Sequence, residues 1–101
     1  MKLVRDRIPE IIEASGQTCK YHIAHHTEHK ERLFDKLTEE LVEFIEEPCL
    51  EEAADLLEVL HKIFEVHDLD LRDVAQAAAT KGDERGRFEL GVILEKVNGA
   101  W

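Results

Sequence analysis

Apolar positions along this chain recur mostly at intervals of three and four. Between residues 28 and 47, Leu33, Phe34, Leu37, Leu41, Phe44 and Ile45 share one stripe, as in a helix that buries one face. Thr27 suits its N-cap, and Pro48 ends it, because the residue before a proline disfavours helical geometry. From Leu50 to His67 the pattern resumes with Ala53, Leu56, Leu57, Val59, Leu60, Ile63 and Phe64. So short a connection predicts an antiparallel hairpin.

Shorter elements flank that hairpin. "RDRIPEIIEASGQ" offers Asp6 as a cap, Pro9 in the first turn, Ile8, Ile11 and Ile12 as a face, and Gly16 as a stop. "CKYHIAHH" alternates at Tyr21 and Ile23 and predicts a brief strand. "DLDLRDVAQAAATKG" reads as a helix capped by Asp70 and stopped at Gly82, followed by a charged loop, "DERGRF". "FELGVILEKV" is β-prone and would pair with the strand near Tyr21. The expected fold is mainly all-α, a single domain over residues 1–101 with a minor two-stranded β element. Few helices enclose little core alone, and the alanine-rich face of residues 75–79 suits close packing. A homodimer or higher homo-oligomer completing an antiparallel helical bundle is therefore expected.

Charge narrows the partners. The chain has 23 Asp and Glu against 13 Lys and Arg, a net charge of -10, which argues against nucleic-acid polymers and anionic membranes. No apolar run reaches the ~18 residues of a membrane span, and "MKLVRDRIPEII" is charged where a signal peptide is apolar. A cytoplasmic protein is expected. Cys19 and Cys49 stand apart, without metal-ligand spacing, and receive no role.

The acidity is unevenly spread. "KLTEELVEFIEEPCLEEAADLLEVL" holds nine carboxylates and no base after Lys36. On a helical wheel Glu40, Glu43, Glu47 and Lys36 form one stripe beside the apolar face, while Glu39 and Glu46 fall near the opposite pole. In the second helix Glu52 lies inside the apolar arc between Val59 and Ile63, with Asp55 at its edge, whereas Glu51 and Glu58 point outward. Burying an unpaired carboxylate costs several kcal/mol, so Glu52 must be neutral, paired or bound to a cation. Closing the hairpin sets Glu40 and Glu43 opposite Glu52 and Asp55, with no lysine or arginine expected in between to neutralise them. Mg²⁺, or Mn²⁺ in its place, answers that excess, because hard cations take oxygen ligands and join carboxylates to phosphate.

At these residues the chain resembles the MazG-like, all-α nucleoside triphosphate pyrophosphohydrolases, relatives of phosphoribosyl-ATP pyrophosphohydrolase. Their ExxE and ExxD motifs read here Glu40-Leu41-Val42-Glu43 and Glu52-Ala53-Ala54-Asp55. "KLVRDRIPEII" and "KGDERGRF" are similar to a subgroup of small single-domain members, so the resemblance covers most of the chain. Eight residues separate Glu43 from Glu52, fewer than in many of the wider family. The resemblance implies Mg²⁺-dependent hydrolysis between the α and β phosphates of a nucleotide, releasing monophosphate and pyrophosphate. Glu40, Glu43, Glu52 and Asp55 would hold metal, and Glu39 or Glu43 would orient the attacking water. Lys36, Lys81, Arg85 and Arg87 are the candidate phosphate contacts. For Lys81 the alternative is a helix-dipole partner, and for Lys36 a pair with Glu40.

Rival readings stay open. His22, His25, His26 and His29 form a cluster of metal-ligand type, but their predicted strand would alternate the side chains. Arg5, Asp6 and Arg7 suit either a subunit contact or a salt bridge at the first helix. A nucleotide- or cation-binding module without turnover, or a purely structural acidic oligomer, would share the same composition.

Overall fold

The structure, a computed structural model, describes residues 1–99. It is all-α: α1 spans Ile8–Ala14, α2 His26–Glu46, α3 Leu50–Val66 and α4 Leu71–Arg85. The chain divides into two compact units, Met1–Leu69 and the residues from Asp70 onward.

In the first unit α2 and α3 pack along one another. Pro48 acts as the sequence suggests: Glu47 before it leaves helical geometry at φ -141°, ψ 83°, and three residues reverse the chain. Leu33 of α2 and Ile63 of α3 are the buried apolar side chains among the described residues, at 3% and 7% exposure. Each contributes roughly 1.5–3 kcal/mol by leaving water. The hairpin's outer faces are not covered, and Ile45 and Leu57 remain 67% and 61% exposed.

α2 starts two residues earlier than Thr27 predicts. His25, extended at φ -83°, ψ 178°, takes the cap position without a side-chain bond, and Glu28 in the first turn pairs with His22 at 2.8 Å. A first-turn carboxylate interacting with the free backbone N–H groups offers an alternative to a hydroxyl cap. The end of α3 is tied by Leu69 N donating to Phe64 O at 2.8 Å, with Asp68 in the left-handed region at φ 58°. Asp is among the few residues that enter that region readily. α1 begins after Arg7 rather than at Asp6, has Pro9 in its first turn, and is followed by Gly16 at φ 90°.

In the second unit, Asp70 caps α4 as expected, accepting from Arg72 N at 2.7 Å. Gly82 does not stop the helix. It is buried within α4, and the turn comes at Gly86, φ 81°. The Arg87 guanidinium folds over Gly82 so closely that a Cβ there would overlap it. "DER" is therefore helical rather than loop.

The expected strands do not form among the described residues. Residues 19–25 and 91–97 make no backbone ladder, and Ile23 and Val92 are 85% and 80% exposed. β-propensity expresses packing against a neighbouring strand, and neither segment has one.

Candidate metal centre

Two i, i+3 pairs create the centre. Residues three apart share a helix face, so α2 presents Glu40 beside Glu43 and α3 presents Glu52 beside Asp55. The antiparallel hairpin brings these faces together near its turn. One carboxylate oxygen from each of Glu40, Glu52 and Asp55 lies within 4.8 Å of the others. Glu43 is not among the three, although its charge bears on Glu52.

Burial makes this cluster unlike ordinary surface acid. Glu40 is 5% exposed, and both its Oε2 and that of Glu52 are shut from solvent without a hydrogen-bond partner. A carboxylate oxygen in that state has lost its hydration and gained nothing in return. Accordingly the Glu52 carboxyl is pushed above the usual carboxylate range, first by burial and then by the charges of Glu43, Asp55 and Glu40.

Two bases meet the cluster from its sides. Lys36 Nζ lies 3.2 Å from Glu40 Oε1 and 3.3 Å from Glu39 Oε1. Loss of hydration pulls the Lys36 ammonium down, but its bonds to Glu40 and Glu39 outweigh this and raise it. Arg5 Nη2 donates to Asp55 Oδ1 at 2.7 Å, and that bond holds the guanidinium above its ordinary value. Arg5 stands 50 residues before its partner and was invisible to helical periodicity. The signal available in the sequence was the basic start "MKLVRDR" set against so acidic a hairpin. The cluster is thus partly neutralised, a correction to the expectation that no base stands between these carboxylates.

The donor set fits a hard divalent cation. Three carboxylate oxygens spaced this closely approach the span of a single ion whose bonds are about 2.1 Å for Mg²⁺ or about 2.3–2.6 Å for Ca²⁺. The two buried oxygens without partners are the atoms such an ion would satisfy. Open coordination positions would keep water or accept phosphate.

The remaining sequence candidates divide plainly. Glu39 is held by Lys36 and, at 3.5 Å, by Lys2, while Glu43 makes no ion pair among the described residues. Arg7 turns to Glu10 at 3.3 Å, within α1's own first turn. Lys81, Arg85 and Arg87 belong to the second unit and are exposed. Arg87 lies 3.5 Å from Asp83 and donates to Ala79 O at 3.5 Å. The histidines form no converging set of three ligands among the described residues. Cys19 and Cys49 are free thiols. No helix among the described residues is long and apolar enough to cross a membrane.

Against known proteins, the chain matches no family model, no curated protein and no solved structure.

Proposed function

We propose that the chain is a Mg²⁺-dependent hydrolase of nucleoside triphosphates or related nucleotides, cutting between the α and β phosphates. The observation that carries this reading is the pair of buried, partnerless oxygens on Glu40 and Glu52 within a three-carboxylate cluster. The resemblance of Glu40–Glu43 and Glu52–Asp55 to the paired motifs of MazG-like pyrophosphohydrolases adds the reaction class.

Glu40, Glu52 and Asp55 would hold the ion. When bound, it supplies Lewis-acid polarisation of phosphoryl oxygens and a water of lowered pKa, so no protein nucleophile is required. Glu43 is better suited than Glu39 to orient that water, because Glu39 is already engaged by Lys36 and Lys2. Lys36 stands beside the cluster and is positioned to neutralise phosphate charge.

A second copy of the chain fits the same reading. Among its described apolar side chains one protomer buries only Leu33 and Ile63 and leaves Ile45 and Leu57 largely exposed, too little core for a bundle of its own. Sedimentation analysis of the wild type against Leu57→Glu tests this, with dissociation expected in the variant.

The decisive measurement is pyrophosphate release over a panel of canonical and modified NTPs and dNTPs with Mg²⁺. Turnover of at least one member is expected, and Glu52→Gln or Asp55→Asn should abolish it while retaining helical circular dichroism. No release from any nucleotide in the presence of Mg²⁺ would overturn the reading.

A further inference from the structure

The residues before α1 reach the carboxylate cluster without being built into the fold. Among the described residues, 1–4 make no backbone hydrogen bond, and the first such tie is Ile8 N donating to Arg5 O at 3.0 Å, at the entry to α1. Leu3 and Val4 are only half-buried. A cavity of about 710 Å³ lies between this segment and the hairpin, with Leu3, Val4, Leu33 and Val59 in its walls. A segment so loosely packed depends on its side-chain ties.

Two ion pairs supply those ties, and both end at the cluster. Arg5 Nη2 donates to Asp55 Oδ1 on α3 at 2.7 Å, and Lys2 Nζ lies 3.5 Å from Glu39 Oε1 on α2. Asp55 is one of the three clustered carboxylates. The same Glu39 oxygen is 3.3 Å from Lys36 Nζ, whose other partner is the clustered Glu40. Both ties are therefore sensitive to what occupies the cluster. Arg5 and Lys36 differ in what their release moves. Lys36 is fixed to α2 and, on leaving Glu40, still has Glu39; Arg5 stands 50 residues from Asp55, on a segment with no backbone tie to the hairpin.

We propose that the N-terminal segment is a latch displaced by metal: Arg5 holds Asp55 in the cation-free protein, and a divalent cation taking Asp55 frees Arg5 and loosens residues 2–5 from the hairpin. The inference rests on the metal-centre reading above. A guanidinium and a divalent cation on one carboxylate repel each other, and each lowers the negative charge available to the other. Lys36, displaced from Glu40, draws more fully on Glu39 and weakens the Lys2 tie as well. Linkage makes the effect reciprocal: a cation that loosens the segment binds more tightly, by the same factor, once the tie is cut.

Nuclear magnetic resonance and calorimetry read the two sides of that linkage on the full chain, with Mg²⁺ alone as the probe. In the wild type, backbone ¹⁵N order parameters of residues 3–5 should fall from about 0.85 toward about 0.6 as Mg²⁺ saturates, while those of α2 and α3 hold. Arg5→Ala should bind Mg²⁺ about threefold or more tightly than the wild type. Arg7→Ala is the control, because it removes the same charge from a residue whose partner is Glu10, and its gain should be smaller. In Arg5→Ala the order parameters should be low already without Mg²⁺ and change little on its addition. Circular dichroism checks that the variants fold, and the wild-type measurement needs no variant.

Order parameters at residues 3–5 that stay constant or rise with Mg²⁺ bound would overturn the latch while leaving the metal centre standing. So would an Arg5→Ala affinity no tighter than that of Arg7→Ala, the result expected if Arg5 orients Asp55 for the ion. Absence of Mg²⁺ binding in the wild type would overturn both readings.

Discussion

The two ends of the α2–α3 hairpin handle charge in opposite ways. Far from the turn, acids and bases interleave at helical spacing: Arg32 sits 3.9 Å from Glu28 and 3.7 Å from Asp35, and Lys62 sits 3.3 Å from Glu65. Near the turn, Glu40, Glu43, Glu52 and Asp55 face one another, and the neutralising bases come from the flanks as Lys36 and Arg5. The first arrangement is what a solvated helix surface favours. The second costs stability in the folded chain, and a cost retained beside buried, partnerless oxygens points to a ligand that offsets it.

Removing one of the clustered carboxylates should break that contrast most strongly. Glu52→Gln or Asp55→Asn is expected to weaken Mg²⁺ binding by about a hundredfold or more, read by calorimetry or by loss of the Mg²⁺-induced rise in Tm. Lys36→Met comes next. It strips Glu40 of its counter-ion in a nearly closed setting, and should destabilise the metal-free protein by about 1–3 kcal/mol in urea unfolding, with much of the loss recovered in Mg²⁺.

pH provides a third handle. Because the Glu52 carboxyl is held above its ordinary value, the folded chain keeps that proton to higher pH than the unfolded chain does. The metal-free protein should therefore lose stability as pH rises from the ordinary carboxylate range through the raised value, with the full penalty present above it. Measured in EDTA, the Tm of Glu52→Gln relative to wild type should climb across that window and converge below it. A parallel pair of curves would show that Glu52 carries no such penalty.

Arg5→Ala sharpens the comparison more gently. The Arg5–Asp55 pair is 57% and 39% exposed, so its loss should cost less than about 1 kcal/mol. Mg²⁺ should bind a few-fold more tightly because its competitor for Asp55 is gone. The smallest effect belongs to the opposite end. Arg32→Ala and Lys62→Ala should change unfolding free energy by no more than about 0.5 kcal/mol and leave Mg²⁺ affinity unaltered.

Periodicity made the helices legible because it is a local property. Leu33 and Ile63 lay on their predicted faces, Pro48 ended α2, and Asp70 capped α4. The same regularity placed Glu52 inside an apolar arc, and its raised carboxyl follows from that position. Local rules failed where a segment depends on a distant partner. Tyr21 to Ile23 and Val92 to Leu94 carry strand-forming side chains but find no strand to pair with. Gly82 has the residue type of a helix stop, yet it is kept within α4, with Arg87 packed over it.

By itself, then, the sequence determined an all-α chain and the two helix faces on which its unusual carboxylates stand. Only the tertiary structure decided that one oxygen from each of Glu40, Glu52 and Asp55 converges, with Glu43 outside that trio but acting on Glu52 through its charge, and that Arg5 reaches Asp55. The reason is physical: a helix repeats every 3.6 residues whatever lies around it, whereas which atoms meet across 50 residues of chain depends on packing.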